Sequence, residues 1–262
     1  MKRAARTLVI ELWLTILLLA LWWFVSADDT SPFWPPLRTI VEAFRRNWLF
    51  ADIRPDLVPS LERVAGGLAL GVAAGITLGV ALGSSVWLRR AFEPMLECLR
   101  ATPFAAIVPI SILLLGIGDT QKILVIGFAV TWPVLLNTTA GVRGIDSEVH
   151  DLADVYRLRR RDRLFRVVLP GAAPQIFAGL RIAVSLALLA VVFSELFAAH
   201  DGLGYFILYA QNTFRISDMW SGIFVLALFA YGFNLLFAAV ERRVLFWHRG
   251  ARASALEAGG AS

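Results

Sequence analysis

Long apolar stretches separated by short polar segments make up most of the chain. A hydrocarbon core of about 30 Å takes about 20 helical residues to cross. Six stretches come close to or reach that length, at residues 8–27, 64–83, 101–117, 123–139, 176–199 and 220–240. Helices are expected, because an open strand in lipid leaves its backbone groups without hydrogen-bond partners. The pattern predicts an all-α integral membrane protein with about six transmembrane helices.

The second span carries a glycine at every fourth position, which places these glycines on one face of a helix. They are Gly67, Gly71, Gly75, Gly79 and Gly83. A face without side chains allows a second backbone to approach closely. The spacing therefore predicts tight helix packing, although it carries no information about chemistry.

The longest segment between predicted spans covers residues 28–60. Within it, residues 37–46 show a helical spacing that puts Ile40, Val41 and Phe44 on one face. We expect an amphipathic helix here, which lies either at the outer membrane interface or against the helix bundle.

Composition agrees with a membrane location. Hydrophobic residues make up 58% of the 262 residues, whereas soluble domains contain about 45–50%. The net charge of +5 comes mainly from arginine and is interpreted as topology and lipid contact, not as nucleic-acid binding. The single cysteine, Cys98, cannot form an internal disulfide.

The basic residues also predict an orientation, because cytoplasmic loops are enriched in arginine and lysine. With the N-terminus inside, seventeen of the 25 basic residues fall in cytoplasmic segments, while Arg63 and Lys122 count toward the outer side. Both termini are then cytoplasmic, in a multi-pass protein of the plasma or inner membrane. A signal peptide cleaved after Ala27 is the alternative for the first span. The apolar run exceeds the about 7–15 residues of a signal core, so we expect the span to be retained.

The sequence contains no catalytic or metal-binding pattern. A phosphate-binding G-x-x-x-x-G-K-[ST] loop is missing, because neither Lys2 nor Lys122 follows a glycine. His150, His200 and His248 stand singly, without ligands at metal-binding spacing. We therefore expect no enzyme activity, no metal site and no cofactor bound by this chain.

The loop at residues 143–170, between the fourth and fifth spans, is the most informative segment. Its arginines favour a solvated basic loop as the simplest interpretation. Asp151 and Asp154, however, fall in the first turn of a predicted helix, where negative charge is favourable. Leu152, Val155, Tyr156, Leu158 and Arg159 can cluster on one side of that helix. Such a helix, projecting between two spans, suits docking to a soluble partner.

This loop resembles the "EAA" loop of permeases of binding-protein-dependent ABC importers. The resemblance rests on the acidic residue before Ala153 and on Leu164-Phe165 with Val168-Leu169-Pro170 after the basic helix. It extends over nearly the whole chain and is closest to the nitrate, sulfonate and taurine subgroup. Supporting stretches lie at residues 59–64, 109–110, 116–119, 133–138, 141–143, 179–181, 194–196 and 202–205.

The resemblance implies a single permease domain over residues 1–262, with a type I ABC importer bundle and a cytoplasmic coupling helix. Such permeases pair as homodimers or with a near relative. They work with ABC ATPase subunits that hold ATP and Mg, and with a periplasmic or lipid-anchored binding protein that delivers a small anionic solute. The implied coupling residues are Asp151, Leu152, Ala153, Asp154, Val155, Tyr156, Arg157, Leu158 and Arg159.

One position departs from the family pattern, since Arg157 stands where the family usually has a glycine. We therefore expect the turn after the coupling helix to differ, with the helix continuing through Arg159.

Polar side chains within the spans are the candidates for the translocation path, because each is costly in lipid. The candidates are Thr131, Trp132, Asn137, Thr138 and Glu195. Glu195 could instead act as a gate or form a structural ion pair. For an anionic solute, either of these roles is expected in place of direct contact with the solute. An ion-coupled secondary transporter and a membrane scaffold remain the competing functions. The former requires internal repeats and charges at the midplane, and no convincing repeat is visible.

Overall fold

The computed structural model describes residues 2–26, 33–50 and 54–246, and helices are its only regular elements over those ranges. They are α1 (Lys2–Val25), α2 (Leu37–Phe44), α3 (Arg54–Ser84), α4 (Val86–Ala101), α5 (Phe104–Leu115), α6 (Asp119–Arg143), α7 (Ser147–Val155), α8 (Arg160–Arg163), α9 (Leu169–Ala198), α10 (Leu203–Asn212) and α11 (Ile216–Val244). Two π-helical segments, Arg45–Phe50 and Leu164–Val168, follow α2 and join α8 to α9. The predicted all-α fold is confirmed. Ala27, which ends the first predicted span, and Arg249 and Arg252 of the C-terminal tail lie outside the described residues.

Each predicted span coincides with an apolar helical segment. Within the described ranges, α3, α6, α11 and the continuous helix Arg160–Phe197 are long and apolar enough to cross a membrane. Helices α4 and α5 are long and apolar enough when they are taken together. Helix α1 contributes the shorter apolar segment Ile16–Val25. The structure is therefore roughly consistent with about six membrane helices.

The third predicted span, residues 101–117, corresponds to α5. A sharp bend precedes it, where α4 and α5 meet at an angle of 93°. Thr102 is extended, at φ −73° and ψ 120°, because a following proline disfavours the helical conformation of the residue before it. Pro103 then precedes the first residue of α5. Helices α4 and α5 together are therefore a broken span or a re-entrant segment.

The chain divides into two compact units, Met1–Pro59 with Asp201–Ala227, and Ser60–His200 with Leu228–Ser262. In the second unit α6 packs most extensively against α9. Its buried centre includes Val64 of α3, Val130 and Val134 of α6, and Ala187 and Val191 of α9. Three of the apolar helices thus share one core.

The glycine seam of α3 packs against α6, as its spacing predicted. Opposite Gly67, Gly71, Gly75, Gly79 and Gly83 stand the β-branched residues Ile126, Val130, Val134, Thr138 and Val142, which also recur every fourth position. A Cβ added at Gly75 would lie 2.7 Å from Val134 Cβ, and one added at Gly79 would lie 2.5 Å from Thr138 Cβ. The α6 side chains therefore occupy the space that side chains on α3 would need.

Substituting Gly75 by alanine should lower the free energy of unfolding by about 1–3 kcal/mol, the usual cost of overpacking a filled core. Gly232→Ala in α11 is the matched control, because a Cβ there meets no atom within 4 Å. Thermal unfolding of the purified variants measures both. Equal melting temperatures for the two variants would show that the seam is not packed as described.

In the first unit, α2 forms the predicted amphipathic helix but with a different buried face. Ile40 and Ala43 are buried, whereas Val41 is 41% exposed. Trp48, in the π-helical segment that follows α2, is bonded to the start of α11. Its indole N–H donates to Ser221 Oγ at 3.1 Å. Packing against a neighbouring helix is therefore observed within this unit, and a position at the outer membrane interface stays a prediction.

Candidate functional site

The loop at residues 143–170 folds into a short helix and a reversal within the second unit. Helix α6 ends at Arg143, α7 runs over Ser147–Val155, and α8 begins at Arg160. The predicted coupling helix, Asp151 to Arg159, was therefore placed too far along the chain. Its first half is the end of α7, and its second half forms the turn that reverses the chain.

The reversal at the end of α7 is a Schellman motif, in which two backbone N–H groups bond back across the last helical turn. Leu158 N–H donates to Ala153 O at 3.0 Å, and Arg157 N–H donates to Asp154 O at 3.0 Å. Arg157 takes φ +50°, the left-handed conformation that this motif requires. The expectation that the helix continues through Arg159 is wrong, because Arg157 adopts the backbone shape of the usual glycine.

Replacing Arg157 by glycine should stabilise the fold by about 1 kcal/mol, since left-handed backbone is strained for a residue with a Cβ and unstrained for glycine. Arg159 is the matched control, because its φ of −62° and ψ of 150° suit any residue. Arg159→Gly should therefore gain nothing. Chemical or thermal unfolding of the two variants tests this, and equal shifts would contradict the assigned strain.

The turn presents a small apolar surface. Leu152, Val155 and Tyr156 are 56%, 77% and 76% exposed, respectively. Ala153, between them in sequence, is 5% exposed and faces the interior. Leu158 is half-buried and does not join this surface. We call the three exposed side chains the apolar knob of α7.

Side-chain contacts join α7 to the following helix. Arg163 of α8 donates to Asp154 Oδ1 at 2.6 Å, and its second terminal nitrogen lies 3.3 Å from His150 Nδ1. Both partners belong to α7. Both contacts join α7 to the start of the next helix.

Glu195, a candidate for the translocation path, lies in a buried ion cluster in the second unit. Its Oε1 accepts from Arg63 Nη1 at 2.8 Å and from Ser60 Oγ at 2.8 Å. Arg63 also pairs with Asp119 Oδ1 at 2.6 Å. The Glu195 side chain is 0% exposed and that of Arg63 is 3% exposed. The contacts favour the structural ion pair among the roles considered for Glu195.

Sequence reasoning missed this cluster, although its members lie in three of the stretches that carry the resemblance. Arg63 and Lys122 were counted as charges at the outer side, yet both are buried. Arg63 and Glu195 are 132 positions apart. No local pattern indicates that a charge in one stretch pairs with a charge so distant in the sequence.

The other path candidates lie on α6 and are partly satisfied by their own helix. Thr131 Oγ1 donates to Gly127 O at 2.8 Å, and Asn137 Nδ2 donates to Pro133 O at 2.8 Å. Thr138 is 0% exposed against the glycine seam. Trp132 packs edge-on against Phe128. The structure does not gather these side chains and Glu195 into one site, and their role in a path stays a prediction.

Residues 71–246, more than half of the chain, match the family described as "Binding-protein-dependent transport system inner membrane component". The nitrate import permease protein NrtB of Synechococcus elongatus is 35% identical over 226 residues, covering 82% of this chain and 80% of the relative. The taurine transport system permease protein TauC of Escherichia coli is 32% identical over 251 residues, covering 93% and 91%. The putative aliphatic sulfonates transport permease protein SsuC of Bacillus subtilis is 30% identical over 209 residues, covering 80% and 76%.

Solved structures show the same fold at lower identity. A bacterial alginate ABC transporter, in complex with an alginate pentasaccharide-bound periplasmic protein, aligns with a TM-score of 0.61 at 16% identity, covering 90% of this chain and 96% of the other. The inward-facing MetNI methionine ABC transporter aligns with a TM-score of 0.60 at 17% identity, covering 71% and 93%. At these identities the likeness concerns the fold alone. It agrees with the importer-permease bundle expected from the sequence.

Proposed function

The chain belongs to the family of binding-protein-dependent transport system inner membrane components, and we propose that it is the permease subunit of an ATP-driven importer for a small anion. Separate ABC ATPase subunits hydrolyse ATP, and a periplasmic or lipid-anchored binding protein delivers the solute. The proposed solute class is nitrate, a sulfonate, taurine or a similar small anion. Its support is that relatives covering most of this chain are named for nitrate, taurine and aliphatic sulfonates.

The observation that carries the proposal is the apolar knob of α7. Val155 and Tyr156 are more than three-quarters exposed, and they are flanked by charged residues that keep this turn out of hydrocarbon. An exposed apolar cluster with a polar rim is typical of a protein interaction site. We therefore assign it as the surface that docks in a groove of the ATPase, with α7 on the cytoplasmic side and both termini cytoplasmic.

The mechanism follows from how α7 is attached. Arg163 links it to α8, which is continuous with the long helix that includes α9. Movement of the ATPase on binding nucleotide would pull α7, and the movement would pass through Arg163 and α8 to α9. Helix α6 would move with α9, because the two helices pack against each other. A rigid-body shift of these helices alternates access to the path. The path is formed with a second permease copy, in a homodimer or with a near relative.

Family membership decides against the ion-coupled secondary transporter and the membrane scaffold considered from the sequence. Uptake measurements separate an ATP-driven importer from an ion-coupled carrier. In cells, uptake of the solute should persist when ion gradients are collapsed and ATP is maintained. An ion-coupled carrier would lose uptake under the same conditions.

Purification of the tagged chain from its native membranes tests the proposal directly. An ATP-hydrolysing subunit should elute with it, and deletion of the chain should abolish uptake of one of nitrate, taurine or an alkanesulfonate. Purification without any ATPase, together with unchanged uptake of all three solutes, would overturn the proposal.

A further inference from the structure

Beside the apolar knob, the second unit contains an open cavity of about 760 Å³. The cavity is bordered by the end of α3, the start of α4, the end of α6, and α7 with α8. Four arginines line it, namely Arg89, Arg143, Arg160 and Arg163, together with His150. These arginines come from three separate parts of the chain, and the fold brings them together.

The lining of this cavity has no compensating negative charge. None of the described residues that line it is an aspartate or a glutamate. Arg163 is paired with Asp154, but Arg89, Arg143 and Arg160 form no ion pair within the described part of the chain. Like charges that share a site repel one another and are stabilised by a bound counterion.

Two glutamates share a second cavity with two of these arginines. Arg89 and Arg143 also border a second cavity of about 170 Å³, which Glu93 and Glu97 line. Glu97 pairs with Arg100 instead. Neither arginine bonds to these glutamates in the described structure, so their guanidinium donors stay available to the larger cavity.

We propose that the arginine-lined cavity binds a tetrahedral oxyanion of the phosphate or sulfate type. A guanidinium presents its N–H donors in a planar fork that matches two oxygens of such an anion. Ser84 and Ser147 add hydroxyl donors at the same cavity wall. The oxyanion is either the phosphate of a lipid headgroup or a free ion. This site stands independently of ATPase docking and of the transported solute.

An oxyanion bound in this cavity would lie among arginines from α4, α6 and α8, namely Arg89, Arg143 and Arg160. Helix α7 borders the same cavity through Ser147 and His150. Helix α7 is also joined to Arg163 of this lining through Asp154. Occupancy should therefore order the base of the apolar knob, which gives the site a measurable effect on stability.

The test uses the purified full-length chain in neutral detergent, titrated with sodium sulfate or sodium phosphate against sodium chloride at equal ionic strength. Sulfate or phosphate should raise the melting temperature of the wild type. Arg89→Gln and Arg160→Gln should each weaken this effect at least about tenfold in ion concentration, because each removes a charge-assisted hydrogen bond. Arg90→Gln and Arg161→Gln are matched controls, since neither lines the cavity, and they should change it less than about twofold.

A second arm identifies the source of the oxyanion. The chain is placed in bilayers of phosphatidylglycerol or of phosphatidylcholine, and the lipids retained on purification are counted by native mass spectrometry. Retained phosphatidylglycerol that is lost in Arg89→Gln but not in Arg90→Gln assigns a lipid headgroup. Stabilisation by free sulfate or phosphate without such retention assigns a free ion.

Stability in chloride alone controls for folding. Because the arginines repel one another in the empty cavity, Arg89→Gln should melt at or above the wild-type temperature in chloride. If the Arg89 and Arg90 variants respond alike to sulfate, phosphate and phosphatidylglycerol, or if the wild type responds to none of them, the oxyanion site is wrong.

Discussion

Val155→Asp should reduce ATP-driven uptake to background while the protein still inserts into the membrane at normal levels. Val155 is 77% exposed in the apolar knob, so the substitution leaves the fold of the free chain intact. In the assembled importer, however, the carboxylate would be buried in the ATPase groove without a partner. Losing such an anchor typically costs about 2–4 kcal/mol, or about 30- to 1000-fold in affinity.

Val155→Leu is the matched control, because it keeps an apolar side chain at the same position and should retain most of the uptake. The measurement is solute uptake in cells together with the amount of ATPase subunit that co-purifies. Leu152→Asp should reproduce the loss. Normal uptake and normal co-purification in both aspartate variants would remove the apolar knob from the coupling surface.

Arg63→Ala should destabilise the chain by about 3–5 kcal/mol, the usual cost of breaking a buried ion pair by removing one of its members. The Arg63 side chain is 3% exposed and that of Glu195 is 0% exposed, so Glu195 would lose its ion pair with Arg63 in a buried site. Asp119 would lose its bond to Arg63 as well. Thermal unfolding of the purified protein and its level in membranes measure the effect.

Arg166→Ala is the matched control, because the Arg166–Asp162 pair has side chains that are 75% and 40% exposed. An exposed pair contributes at most about 1 kcal/mol, so this variant should melt close to the wild type. Glu195→Gln keeps oxygen and nitrogen atoms near Arg63 and should be milder than Arg63→Ala. If Glu195→Gln instead leaves stability unchanged and alters which solute is imported, Glu195 belongs to the translocation path.

The sequence predicts which faces are buried better than it predicts which faces meet. The glycines of α3 indicated a close-packed seam, and the β-branched residues of α6 that fill it recur at the same spacing. Nothing in either periodicity pairs the two helices. The cluster of Arg63, Asp119 and Glu195 was missed for the same reason, since long-range ion pairs leave no local signal.

Hydropathy also indicates which segments are apolar without indicating the angles between the helices that they form. The mainly apolar stretch at residues 101–117 forms α5, but its hydropathy does not indicate that the break at Thr102 and Pro103 sets α5 at 93° to α4. At Arg157 the residue type favoured a continuing helix. The backbone instead follows the Schellman hydrogen bonds, in which the N–H of half-buried Leu158 donates to the carbonyl of buried Ala153.

Site-directed cross-linking tests the central assignment, the docking of α7 to an ATPase in the cytoplasm. The exposed native Cys98 is first replaced by serine, and a single cysteine is then introduced as Val155→Cys or, as a control outside the loop, Phe214→Cys, at a residue 78% exposed. The cysteine at position 155 should form a cross-link to the ATPase subunit in native membranes, and it should resist a membrane-impermeant thiol reagent added from outside. Labelling of that cysteine from outside, with no cross-link to any ATPase, would contradict the assignment.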